Sequence, residues 1–182
     1  MRLFIAIELP DAVKRALAGL RVDIPGARWV PAEQVHLTLA FLGEVEEAAL
    51  ERLTGELARI QVPEFQLCFS GSGCFPDRRR PRVLWVGLEP QPRLAHLAVG
   101  VRAAVLACGI PQEERPFSPH ITLARLRPSP PRGCDAFLDR HQKLKLPPFP
   151  VREFTLFQSR LTLQGGLHTP IMGFQLGGTG RC

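Results

Sequence analysis

The sequence predicts an α+β fold: two pseudo-symmetric lobes whose antiparallel sheets face a central cleft, with helices on the outside. Three observations predict it. The tetrad His36-Leu37-Thr38-Leu39 recurs as His120-Ile121-Thr122-Leu123, one copy in each half of the 182 residues. Each copy sits in a run that alternates apolar and polar side chains, as a half-buried strand requires. Each is preceded by the same order of elements: an apolar strand closed by a proline, a helix, an irregular stretch, then the His-x-Thr strand. The chain 1–182 therefore reads as one bilobal domain with related halves, roughly 1–80 and 81–182.

The elements follow in order. Leu3 to Leu9 is a strand rich in β-branched residues, stopped by Pro10. Ala12 to Leu20 has helical spacing, with Asp11 as its expected N-cap. Pro25-Gly26 turns the chain, and Ala27 to Val30 is extended because Pro31 disfavours helix before it. Val35 to Leu42 is the first motif strand, ended by Gly43. Glu44 to Ile60 is a long amphipathic helix with acidic residues at its start. Phe65 to Phe75 is a strand irregular at Gly71 and Gly73, and Pro76 to Pro81 is a loop with a basic tip. Val83 to Leu88 is a strand, and Pro92 to Gly109 a helix. Lining up Phe4 to Pro10 with Leu84 to Pro90 gives the repeat. After an irregular Pro111 to Pro119, His120 to Leu126 is the second motif strand. A loop at Pro128 to Pro131, a short helix from Asp135 to His141 and a long strand or bent pair of strands from Val151 to Leu163 follow. Gly165-Gly166 turns the chain into a partner strand, Thr169 to Leu176, and a tail ends it.

Composition narrows the function. Hydrophobic residues are 45% and charged residues 22%, which suits a folded soluble domain rather than a disordered chain. The net charge is +6, nearly all from arginine, whose planar fork of donors suits phosphate. A compositional bias toward Arg, Pro, Gly and Ala accounts for it equally well. The five cysteines form no C-x-x-C pair, so neither a zinc site nor a disulfide framework is indicated, and a reducing cytoplasm is the expected location. No stretch has the length of a signal-peptide core or a membrane span. No Walker loop, dinucleotide fingerprint or H-E-x-x-H spacing is present, so no metal or nucleotide cofactor is expected.

The repeated motif carries the chemistry. Strand alternation sends His36 and Thr38 to one face, and Leu37 and Leu39 to the other; His120 and Thr122 behave alike. Two imidazoles around one cleft can work as acid and base, since histidine titrates near neutral pH. Two hydroxyls can donate to phosphoryl oxygens as charge builds on them. That set suits in-line displacement at phosphorus. Parity and spacing treat the two histidines alike and do not divide the roles.

Trp29-Val30-Pro31, the segment from His36 to Gly43, and Phe117-Ser118-Pro119-His120-Ile121-Thr122-Leu123-Ala124-Arg125 resemble the signatures of the 2H phosphoesterases. Arg2 to Ile7 resembles their opening strand. The resemblance is strongest to the bacterial and archaeal RNA 2′,3′-cyclic phosphodiesterase (2′-5′ RNA ligase) branch. It implies that His36 protonates the leaving 3′ oxygen, that His120 takes a proton from water, and that Thr38, Thr122 and Arg125 hold the phosphate. The implied partner is RNA with a 2′,3′-cyclic phosphate end, tRNA fragments included. The product is a 2′-phosphate, and reversible 2′-5′ ligation uses the same residues. Metal is not required, and a monomer is favoured.

Other residues are read more weakly. Arg125 lies an odd five residues past His120, so an undistorted strand would turn it from the cleft; a bulge or a position near the strand end would reconcile this. Phe41 falls on the core face by the same rule, although an aromatic beside the cleft could stack a base. Arg78, Arg79 and Arg80 are candidate RNA contacts or simply solvated charge. His96, His141 and His168 lack a Thr two residues on and are expected to be structural or surface. Alternatives on the same fold are a 2′-5′ oligonucleotide or small cyclic-nucleotide phosphodiesterase. A non-catalytic RNA-end binding protein is a further alternative, disfavoured because all four motif residues are intact. A metal held by His36 and His120 is another, which activity in excess chelator would eliminate.

Overall fold

A computed structural model describes residues 1–127, 133–162 and 165–177. Its elements are β1 (Arg2–Glu8), α1 (Asp11–Ala18), β2 (Ala27–Trp29), a 3-10 turn (Ala32–Gln34), β3 (His36–Glu44), α2 (Glu47–Ala58), β4 (Phe65–Leu67), β5 (Phe69–Phe75), β6 (Val83–Leu88), α3 (Pro92–Ala107), β7 (His120–Leu126), α4 (Cys134–Arg140), β8 (Phe149–Val151), β9 (Glu153–Thr162) and β10 (Gly165–Gln175). The α+β class and the antiparallel pairing expected from the sequence are both present. The loop at 128–131, the residue Leu163 and the tail from 178 lie outside the described residues. No helix among the described residues is long and apolar enough to cross a membrane.

The main sheet runs β10-β9-β1-β3-β7-β6-β5, with β2 on the far end of β7, and β4 pairs separately with β8. The repeated unit is visible in it: β1, α1 and β3 match β6, α3 and β7, and in each unit the first strand pairs antiparallel with the motif strand. The flanking strands are exchanged along the chain. β9, from the second half of the sequence, pairs with β1, while β5, from the first half, pairs with β6. The two units meet at one registered pair, Leu37 with Ile121.

One face of the sheet is sealed by helices. Leu37 and Ile121 are fully buried in a core that includes Leu53 and Leu57 of α2, and Leu94, Leu97 and Val101 of α3. The other face carries a separate small cluster, Phe4, Ala6 and Phe157. β1 is thus buried on both sides, which explains its near-continuous apolar run.

Four local expectations are corrected. Asp11 does not cap α1: Pro10 occupies that position, no side chain caps the helix, and Asp11 lies in the first turn, where its charge suits the macrodipole. α2 starts at Glu47, because Glu44 still pairs with Arg2 at the end of β3. Gly165 and Gly166 are not the turn but the first residues of β10, paired with Thr162 and Leu161. The repeat also slides by one residue. Ile5 pairs with Ala40 and Leu84 with Ala124, so Ile5, not Phe4, is the counterpart of Leu84.

Candidate active site

The open face of β3 and β7 assembles the repeated residues. An antiparallel register through Leu37 and Ile121 sets His36 beside Thr122 and His120 beside Thr38. All four side chains are half-buried, while the residue between each pair is sealed in the core. The two imidazoles are fixed alike. His36 Nδ1 lies 2.7 Å from the Gln34 carbonyl oxygen, and His120 Nδ1 lies 2.8 Å from the Ser118 carbonyl oxygen. A carbonyl oxygen only accepts, so each Nδ1 carries the proton and donates it. In both rings Nε2 is the nitrogen left for proton transfer.

A shared irregularity completes the site. Along β1 one step from Ile5 to Ala6 matches two on β3, from Ala40 to Thr38, so Leu39 is an extra residue. Along β6 the step from Leu84 to Trp85 matches Ala124 to Thr122, so Leu123 is extra in the same place. Each bulge leaves two consecutive residues buried and inverts the alternation beyond it. Arg125 is thereby exposed on the histidine face, near enough to His36 to disfavour its protonation. Of the two ways to reconcile the odd offset, the structure uses the bulge. Phe41, its counterpart in the first repeat, is turned out by the same device. It is 67% exposed instead of in the core, with its ring 6.3 Å from Phe4.

Aromatic rings wall both histidines. His36 packs on Phe4 at 4.9 Å, and Phe4 stacks on Phe157 at 5.1 Å. His120 meets Phe75 edge-on at 4.9 Å and lies 6.2 Å from Trp85. Trp85 lies across β5 at Gly73, where any Cβ would collide with the indole ring carbons. Burial lowers the pKa of His36 to about 4; its bond to Gln34 opposes the shift, and His168, Lys14 and Arg125 add to it. Lys14 is almost fully buried, with Nζ 2.9 Å from Glu8 Oε1, and Glu8 stands directly across from His36 on β1.

The sequence reading missed His168. It is neither surface nor remote: its ring lies edge-on to His36 at 5.3 Å and to Phe4 at 4.8 Å. No Thr partner marks it. The available signal is the β9–β10 pairing, which lays it beside β1. His96 is exposed, and His141 packs on Phe137. The basic loop divides. Arg78 is engaged by Asp139 at 2.8 Å and Asp135 at 3.8 Å, both on α4. Arg79 and Arg80 are exposed, and their backbone N–H groups donate to Asp77.

Comparison with known proteins gives the family and the fold. A family profile described as the 2′-5′ RNA ligase superfamily matches residues 9–162. The RNA 2′,3′-cyclic phosphodiesterase of Thermus thermophilus is 37% identical over 190 residues, spanning 98% of this chain and 91% of its own. A crystal structure of a Thermus thermophilus protein superposes with a TM-score of 0.82 at 35% identity, covering 98% of this chain and 100% of that one. Escherichia coli LigT complexed with 3′-AMP gives 0.77 at 31% identity, over 96% and 97%.

Proposed function

The chain belongs to the 2′-5′ RNA ligase superfamily, and from that premise we propose that it hydrolyses RNA 2′,3′-cyclic phosphate ends to 2′-phosphates. The observation that carries the reading is the pair of imidazoles, each held through Nδ1 by the carbonyl two residues upstream and each with Nε2 left free for proton transfer. His120 takes a proton from water as its oxygen attacks phosphorus. The bond from phosphorus to the 3′ oxygen breaks, and His36 gives that oxygen a proton. Thr38, Thr122 and Arg125 hold the non-bridging oxygens, where charge accumulates. One water is consumed, and the product carries a 3′-hydroxyl and a 2′-phosphate. Ligation through a 2′-5′ bond is the same displacement with an RNA 5′-hydroxyl in place of water: His120 takes the proton of that hydroxyl and His36 again protonates the 3′ oxygen.

The division of roles has a physical consequence. Burial keeps His36 neutral at pH 7 in the free site. A bound cyclic phosphate places a negative charge beside it and favours the protonated form. The acid is therefore loaded as substrate binds, by displacement of the burial effect. Phe41, on the open face, is a candidate stacking surface for a base, and Arg79 and Arg80 are candidate contacts for RNA phosphates. LigT complexed with 3′-AMP supports a nucleotide-sized ligand for this fold. RNA ends of this kind, tRNA fragments among them, are the proposed substrates.

The test is incubation with a short RNA bearing a 2′,3′-cyclic phosphate, with chelator in excess. A 2′-phosphate product is expected. A 3′-phosphate would reverse the acid and base assignments, and absence of turnover would sink the reading.

A further inference from the structure

A third imidazole in a two-histidine site needs a reason. His168 sits on β10, and β10 reaches the site only because β9 carries it alongside β1. Its ring touches two others edge-on: His36, interplanar angle 73°, and Phe4, interplanar angle 68°. Its register partner on β9, Ser159, is uncharged. A Cβ added at Gly166, two residues earlier, would lie 3.4 Å from His168 Nε2, in ordinary contact with the ring. Phe4 and Phe157 keep water from the opposite side of the cluster. The charged groups around the pair are few. Lys14 comes from α1 and is neutralised in part by Glu8 of β1, and Arg125 comes from β7. Among the described residues of β9 and β10, none that faces the pair is acidic, so nothing there offsets a second positive charge.

We propose that His168 is a positioning residue for His36: it fixes the edge of the His36 ring against Phe4, and the two imidazoles exclude each other's protonation. Two cationic rings at this separation repel, with Arg125 nearby and the one carboxylate beside His36, Glu8, already paired with Lys14. The His36 side of the cleft therefore admits at most one proton in the free protein. Binding of the phosphate anion relieves the repulsion, so proton loading of His36 is confined to the substrate-bound state. A plain aromatic residue at position 168 would supply the wall without this coupling. The inference rests on the proposed role of His36, but its direct test does not depend on turnover.

The experiment is an NMR titration of the His36 ring in the free protein, wild type against His168→Phe and His168→Asn, with thermal melts confirming that each variant folds. Phenylalanine preserves burial and removes the second charge, so a change in that variant isolates the charge. His36 is expected to titrate at a pH higher by about half a unit or more in His168→Phe. The limb of the kcat/KM profile that follows His36 should move the same way on a 2′,3′-cyclic phosphate RNA. An unchanged His36 titration in His168→Phe, or a change in His168→Asn alone, would overturn the coupling and leave His168 as a cover. If the titration moves while wild type fails to turn over the RNA, the coupling stands and the functional reading fails.

Discussion

The His36 imidazole occupies its place in the site at a cost, because burial holds its pKa near 4 while the unfolded chain titrates near 6.5. Above that range the ring is neutral in both states. As pH falls from 6.5 to about 4, only the unfolded chain gains the proton, so stability falls, by up to about 3 kcal/mol. Unfolding midpoints across this window should drop more steeply for wild type than for His36→Phe; parallel curves would refute the burial argument. At the same scale, His36→Ala and His120→Ala should each lower turnover at least ~100-fold with the fold intact, the scale of one acid or base. Steady-state rates with circular dichroism check this, and near wild-type rates in either variant would remove that histidine from the mechanism. The two motif histidines were legible because each has a Thr two residues on in a repeated strand. His168 was not, because its neighbourhood depends on a long-range strand pairing that no local pattern announces.

At the scale of the element, the strands were readable from alternation wherever alternation is strict. β6 and β7 have the bounds that the pattern gave, Val83–Leu88 and His120–Leu126. The rule misplaced Phe41 because it assumes one residue per step on both partners, and the bulge at Leu39 breaks that assumption. Arg125 showed the same conflict, and there the resemblance set against the odd offset left a bulge or a strand-end position as the ways out. The closeness of β5 to the site is visible in composition only as the spacing of Gly71 and Gly73. Gly73→Val should displace Trp85, since a side chain there would occupy the space of the indole. The expected cost is about 1–3 kcal/mol of stability, as for other overpacking changes. Turnover should fall with it, because Trp85 and Phe75 pack together at 5.2 Å and both flank His120. Denaturant melts and tryptophan fluorescence report both effects; an unshifted fluorescence maximum with full activity would show that β5 yields without moving the indole. The basic loop makes a separate prediction. Arg78 is held by α4, so Arg79→Ser with Arg80→Ser should flatten the salt dependence of RNA binding more than Arg78→Ser does. Equal slopes in all variants would mean that the loop makes no phosphate contacts.

At the scale of the molecule, the site depends on how two repeats are held together. The sheet gives them one registered pair, Leu37 with Ile121, and both side chains are fully buried beneath the histidines. Backbone bonding at one pair is too little to fix two imidazoles and two hydroxyls relative to each other. The common core under the sheet must do so, with α2 and α3 packed against each other and α3 against β3. Leu37→Ala and Ile121→Ala should each cost about 2–5 kcal/mol, as a buried large-to-small change does. Because the two side chains face the same junction, the cavities should merge, and the double variant should depart from additivity by at least ~0.5 kcal/mol. Turnover should fall in each single variant although no catalytic group is changed, since the junction sets the distance between His36 and His120. A double-mutant cycle on unfolding free energy, with kcat measured on the same proteins, separates the outcomes. Additive stability losses with unchanged kcat would mean that each repeat holds its own histidine independently and that the junction is only a point of contact.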